Sequence, residues 1–119
     1  MMQDPKGKNL IVDLTFDFAL EVIKYATSLE KGKRFVLATQ LLKSGTSIGA
    51  NVREAQNAES RNDFIHKMKV AAKEADETEY WLLLCNQSES FPPCDELLQK
   101  CATIIKVLAK IISSTKAIE

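Results

Sequence analysis

Apolar residues recur every three or four positions along nearly the whole chain, which is the spacing of helices and not of strands. The first helix is predicted from near Val12 to Leu29, with a core stripe of Val12, Phe16, Ala19, Ile23 and Ala26. A second stripe of Ile11, Phe18, Val22, Tyr25 and Leu29 lies on an adjacent face. Lys31-Gly32-Lys33 supplies a stop with a glycine and favourable positive charge. The second helix, from about Arg34 to Gln56, contains the least expected stretch. Ser44, Gly45, Thr46, Ser47 and Gly49 form a small polar cluster of the kind that punctuates chains. Yet Leu37, Leu41, Ser44, Ile48, Asn51 and Ala55 keep helical spacing straight through it. A helix that accepts both glycines gives up roughly 2 kcal/mol relative to alanine, and close packing against another helix is the expected offset.

Asn57 to Asn62 forms the next connection, with Ser60 as N-cap and Asp63 at the third helical position as an acidic variant of the capping box. The third helix covers about Arg61 to Gln87 and has Phe64, Met68, Ala71, Ala75, Thr78, Leu82 and Cys85 as its seam. Ser88 to Pro93 breaks the chain, and the fourth helix begins near Cys94 or Asp95. It carries Leu97, Cys101, Ile104, Leu108 and Ile111 on one line and Leu98, Ile105 and Ile112 on the next.

Four helices joined by short loops predict an all-α fold, an antiparallel up-down-up-down four-helix bundle forming a single domain over residues 1–119. Only three prolines and four glycines occur, too few turn signals for a sandwich or barrel. The apolar arcs of helices 1 and 4 are wider than one bundle needs. They point to self-association, or to helices seated more deeply in an irregular bundle.

Sixteen basic and sixteen acidic residues cancel, so any nucleic-acid binding must use a local patch. The charges are unevenly spread, with basic ends and an acidic middle from Glu54 to Glu96. Cys85, Cys94 and Cys101 are odd in number and lack metal-ligand spacing, so all three read as structural thiols in a reducing compartment. The N-terminal run Leu10 to Val12 is too short for a secretory segment and nothing later reaches membrane-spanning length, so a cytoplasmic location is expected.

Beside the apolar seam of helix 2 runs a polar stripe, Gln40, Ser44, Ser47, Asn51 and Glu54, and helix 3 carries Glu74, Glu77 and Trp81 at similar spacing. If the two stripes face each other, Glu74 and Glu77 can accept hydrogen bonds from Ser47 or Asn51 and fix helix register. The catalytic alternative, a di-iron bundle, needs Glu-x-x-His on two helices. Asp63 and His66 supply one half-site at most, and His66 reads as a surface residue. Ser-Gly-Thr-Ser-Ile-Gly lacks the nucleophile elbow, and Gly45 to Gly49 lacks the lysine of a phosphate loop. The G-x-x-x-G spacing is more simply a close-packing device. No catalytic residue, metal or cofactor is expected, and the chain reads as non-enzymatic.

Phe35-Val36-Leu37, Gln40-Leu41-Leu42, Ser44 to Val52, Glu54-Ala55, Asp63-Phe64-Ile65 and Ala72 to Leu84 together carry a family resemblance. The chain resembles the 23S rRNA intervening-sequence proteins, also known as the bacterial four helix bundle protein family. Founding members of that family are encoded within insertions in bacterial large-subunit rRNA genes. Similar proteins serve as the accessory subunit of diversity-generating retroelements, a pentameric barrel of four-helix bundles that binds a reverse transcriptase and nucleic acid. The resemblance implies a homopentamer. It makes Lys33, Arg34, Lys43, Arg53, Arg61 and Lys67, with Lys31 and Lys69 nearby, candidates for contact with RNA or DNA, where a ring would multiply weak contacts. The competing reading of these cations is a solvated surface. The leading function is an oligomeric adaptor for RNA or a ribonucleoprotein, and the alternative is a protein-protein scaffold with no nucleic-acid binding. Partners are then further copies of the chain and RNA, DNA or a nucleic-acid-binding protein, with no membrane.

Overall fold

The computed structural model describes residues 9–118, so the reading of the extreme N-terminus lies outside the described residues. Among the described residues there are four helices and no strand: α1 (Leu10–Lys31), α2 (Phe35–Ala55), α3 (Arg61–Gln87) and α4 (Asp95–Ala117). Each helix packs on its two neighbours around a square, with α1 diagonal to α3 and α2 diagonal to α4.

Specific bonds tie the corners. Asn9, which caps α1, donates to Gln56 just past the end of α2 at 3.0 Å. Ser60 caps α3 by accepting from the Asp63 N–H at 3.0 Å, as its sequence position implies. The Tyr25 hydroxyl, near the end of α1, donates to the Pro92 carbonyl before α4 at 2.6 Å. The Cys94 and Cys101 thiols lean on the Leu82 and Ala75 carbonyls of α3.

The end of α1 departs from expectation. Gly32 has an ordinary φ of −87°, and the left-handed residue is Lys33 at φ 64°. The Arg34 N–H bonds the Leu29 carbonyl at 2.9 Å and the Lys33 N–H bonds that of Glu30 at 2.8 Å, the paired bonds of a Schellman cap with Lys33 where glycine is usual.

The seams of α3 and α4 run as expected, from Met68 to Cys85 and from Leu97 to Leu108, with Phe64 and Ile111 only half-buried. On α1 the two stripes exchange roles. Ile11, Phe18, Val22, Tyr25 and Leu29 form the core, whereas Phe16 and Ile23 stay 57% and 44% exposed; of the stripe expected inside, only Ala26 is buried. The cause is the close fit of α2. A Cβ on Gly45 would lie 2.8 Å from Val22 Cγ1, and one on Gly49 would lie 3.3 Å from the Thr15 carbonyl oxygen. Small residues on α2 therefore draw in the Thr15 and Val22 side of α1, and Thr15 is fully buried because its hydroxyl donates to the Ile11 carbonyl at 2.8 Å. Among the described residues no helix is long and apolar enough to cross a membrane.

Candidate interaction surface

The polar stripe of α2 reaches α3 through one direct side-chain bond. The hydroxyls of Ser44 and Thr78 stand 2.9 Å apart, both buried, and Thr78 also reaches the Glu74 carbonyl at 2.7 Å. The expected donors and acceptors play other parts. Ser47 donates to the Lys43 carbonyl, Asn51 donates to the Ser47 carbonyl, and exposed Glu77 accepts from Trp81 Nε1 on its own helix at 3.1 Å. Hydroxyls that can return to their own backbone satisfy themselves locally, so the carboxylates are left to face water. Gln40 and Glu74 are half-buried and Glu54 is exposed.

The basic candidates do not converge on one spot. Lys31, Lys33 and Arg34 lie at the α1–α2 turn, and Arg53 lies eighteen helical steps beyond Phe35, about 27 Å along α2. Arg34 is committed within the molecule, since it donates to the Ser90 carbonyl at 2.7 Å and its guanidinium sits 4.4 Å from the centre of the Phe91 ring. Lys67 pairs with Asp63 at 3.0 Å, and Asp63 also accepts from the Glu59 N–H. These contacts hold the Asp63 carboxyl below the usual carboxylate range, the Lys67 bond being the largest cause. They also occupy the one carboxylate that could have joined exposed His66 in a half-site. Lys43, Arg53 and Arg61 are exposed. Lys69 faces Lys116 of α4 closely enough for the second ammonium to push the pKa of Lys69 down, a juxtaposition invisible in sequence because the two are far apart along the chain.

A larger feature is apolar. On α1, Phe16, Leu20 and Ile23 are exposed, and Phe16 lines a shallow groove against Thr46, Ala50 and Arg53 of α2. On the diagonal helix α3, Tyr80, Leu83 and Leu84 are exposed. The second uncovered face thus belongs to α3, whereas on α4 the line Leu98, Ile105 and Ile112 is half-buried against the core. A wider cleft of about 520 Å³ between α1 and α4 is lined by Asp17, Glu21, Glu96 and Lys100, with Lys100 paired to Glu21. Among the described residues no group of three or more His, Cys, Asp or Glu side chains is placed to hold a metal ion.

The sequence profile of the 23S rRNA-intervening sequence proteins matches residues 8–110. The chain belongs to that family. A solved structure from Bacteroides thetaiotaomicron, described as a protein of unknown function from the S23 ribosomal protein family, is similar over 86% of this chain and 97% of its own. The two are 42% identical with a TM-score of 0.80. Comparison with curated proteins yields no match. In this member of the intervening-sequence family the matched region takes in all of α1 to α3 and most of α4, so the exposed apolar residues of α1 and α3 lie inside it.

Proposed function

We propose that this chain is the subunit of a non-enzymatic homo-oligomeric adaptor that engages RNA or a ribonucleoprotein. Its helices alternate up and down in an antiparallel bundle, and bundles associate into a ring, on the family analogy a pentamer. The alternation is supported by the corner bonds, since Asn9 at the start of α1 meets Gln56 and Tyr25 near its end meets Pro92. Ring formation is supported by the exposed apolar residues of α1 and α3, because contiguous exposed apolar surface marks association.

The observation that carries the nucleic-acid reading is the set of exposed cations where α2 meets α3, Arg53, Arg61 and Lys69, with exposed Lys116 of α4 near enough to lower the Lys69 pKa. Two ammonium groups that repel each other gain most from a phosphate placed between them. Arg61 lies eight residues before Lys69 on α3, about 12 Å away along the helix, and Arg53 precedes it across the α2–α3 loop. This end of the bundle is therefore assigned to the polyanion.

The test is a fluorescence-anisotropy titration of the purified oligomer with a structured RNA at about 50 and 200 mM salt, between which phosphate contacts weaken steeply. Binding that falls with salt and is lost in Lys69→Glu/Lys116→Glu supports the adaptor. Binding that ignores both changes overturns it. A second reading, a protein scaffold, is favoured by the internal engagement of Arg34 and Lys67, and it expects no RNA binding at either salt.

A further inference from the structure

The three cysteines are not equivalent in the fold. Cys85 ends the inner row of α3, and Cys94 is the cap that opens α4. The Cys94 N–H donates to Asn86 Oδ1 at 2.8 Å, and its thiol donates to the Leu82 carbonyl at 3.3 Å. Leu82 lies three residues before Cys85 on the same face of α3, and because side chains tilt toward the helix N-terminus, that of Cys85 leans back over the Leu82 carbonyl. The Cys94 sulfur is therefore seated on the turn that carries Cys85. Tyr25 of α1 closes the cluster: burial, and then the adjacent Cys94 and Cys85 thiols, hold its hydroxyl above the ordinary pKa. Cys101 is nearer to Cys94 along the chain than Cys85 is. Yet it stands two turns down α4, about 10 Å along the axis, beyond the roughly 7 Å between Cα atoms that a disulfide can span.

Cys94 also has a way in. With Tyr25, Pro93 and Leu97 it lines an open cavity of about 690 Å³ between α1 and the start of α4. Glu21, Asp95 and Glu96 outnumber Lys24 in that lining, even when Lys100, which pairs with Glu21, is added. Such a lining turns away anionic reagents and leaves a small neutral one unaffected. Cys85 has no exposed surface, so the first reaction belongs to Cys94, which is 5% exposed.

We propose that Cys85 and Cys94 are a peroxide-sensitive dithiol, oxidised by a small neutral hydroperoxide to a disulfide that staples the end of α3 to the start of α4. The Cys94 thiolate attacks one oxygen of hydrogen peroxide, the O–O bond breaks, and the other oxygen leaves as water after taking up a proton. The sulfur is now a sulfenic acid. The Cys85 thiolate then attacks it, the S–O bond breaks, and the departing hydroxide takes up a proton to leave as a second water. Two thiols and one peroxide give one disulfide and two waters, with the sulfurs oxidised and the peroxide oxygens reduced. Burial holds both thiols above the ordinary pKa and so protonated at rest, which spares the pair from traces of peroxide and reserves the reaction for sustained exposure. A thiol reductant reverses the link by exchange.

The experiment treats the reduced, folded protein with hydrogen peroxide and reads intact mass and non-reduced peptide maps, with circular dichroism as the check of folding. The expected product is a chain two hydrogens lighter, in which the peptides holding Cys85 and Cys94 are joined and Cys101 is free. Dithiothreitol should return the parent mass. An unchanged mass, a sulfinic acid at Cys94 without a link, or a link that includes Cys101 overturns the proposal. The linked chain should melt about 5 °C or more above the reduced one, since the closed turn restricts the unfolded chain, and no rise overturns the staple. In concentrated urea, where α4 no longer holds Cys101 away, links between Cys94 and Cys101 should appear as well. The same products from folded and unfolded protein overturn the role of the fold. Oxidised glutathione, bulky and anionic, should react roughly tenfold more slowly than peroxide, and equal rates overturn the choice of oxidant. Cys101→Ala keeps the pair and should link as the parent does, whereas Cys85→Ser should leave a sulfenic acid at Cys94 that dimedone traps. Loss of the link in folded Cys101→Ala overturns the stated pairing.

Discussion

Val22 and Gly45 are packed so tightly that a Cβ on the glycine would lie 2.8 Å from one valine methyl and 3.0 Å from the other. This contact orients α1, for it selects which apolar stripe faces inward. It also explains why a helix tolerates a residue that weakens it. Gly45→Ala gains helix propensity worth about 1 kcal/mol but meets overpacking worth roughly 1–3 kcal/mol, so a net loss of stability is expected. Urea denaturation at fixed protein concentration checks the sign. Val22→Ala in the same chain should recover part of the loss, and a stabilised Gly45→Ala would refute the close-packing account. Gly49→Ala, with its nearest contact at 3.3 Å, should be closer to neutral.

Lys33 occupies a left-handed conformation at φ 64° in the cap that ends α1. A side chain there costs about 1–2 kcal/mol that glycine avoids. Lys33→Gly is therefore expected to raise the stability of the bundle by about 1 kcal/mol, readable as a higher urea midpoint at unchanged slope. No gain would mean that the Lys33 side chain makes a compensating contact.

The Ser44–Thr78 pair is the buried polar bond between α2 and α3. Thr78→Val leaves Ser44 with only a long approach to the Leu41 carbonyl at 3.5 Å, and the expected cost is roughly 1–3 kcal/mol. Ser44→Ala with Thr78→Val removes both partners and should cost less than the two single changes added together. A double-mutant cycle that sums without coupling would show that the bond does not contribute.

Burial pushes the Cys101 thiol up from 9.0 to about 12, and burial likewise raises Tyr25, Cys85 and Cys94. The folded chain then keeps protons that the unfolded chain releases. The stability from Cys101 is complete below pH 9.0 and is lost as pH climbs toward about 12. Stability should fall from about pH 9 upward, read as a falling melting temperature, with a slope approaching about 1.4 kcal/mol per pH unit from Cys101. Cys101→Ala should flatten the profile, and an unchanged slope would remove the thiol as its cause.

The helices and their ends were readable because caps and breakers are local: Ser60 with Asp63 opens α3, and Ser88 to Pro93 closes it within a residue or two of expectation. The seam of α3 was readable because it has one apolar row. The facing of α1 was not, because Phe16 and Ile23 are as apolar as Phe18 and Val22. Spacing alone cannot separate a row that meets its own chain from one left outside. Gly45 and Gly49 held the missing signal, since a pair of missing side chains marks where another helix must come closest. The polar stripe was legible in position but not in partners, because Ser47 and Asn51 can bond their own backbone as readily as another helix. The meeting of Lys69 with Lys116 joins two helices that only folding brings together.

The three sheltered thiols give the molecule a memory of its own excursions. Cys85 and Cys101 have no exposed surface and Cys94 has very little. A bulky alkylating reagent would pass over the closed form and brand any copy that opens. Cys94 sits at the α3–α4 turn, while Cys101 lies against Ala75 in mid-bundle. The order in which brands accumulate would separate a fray that begins at that turn from a parting of the whole bundle.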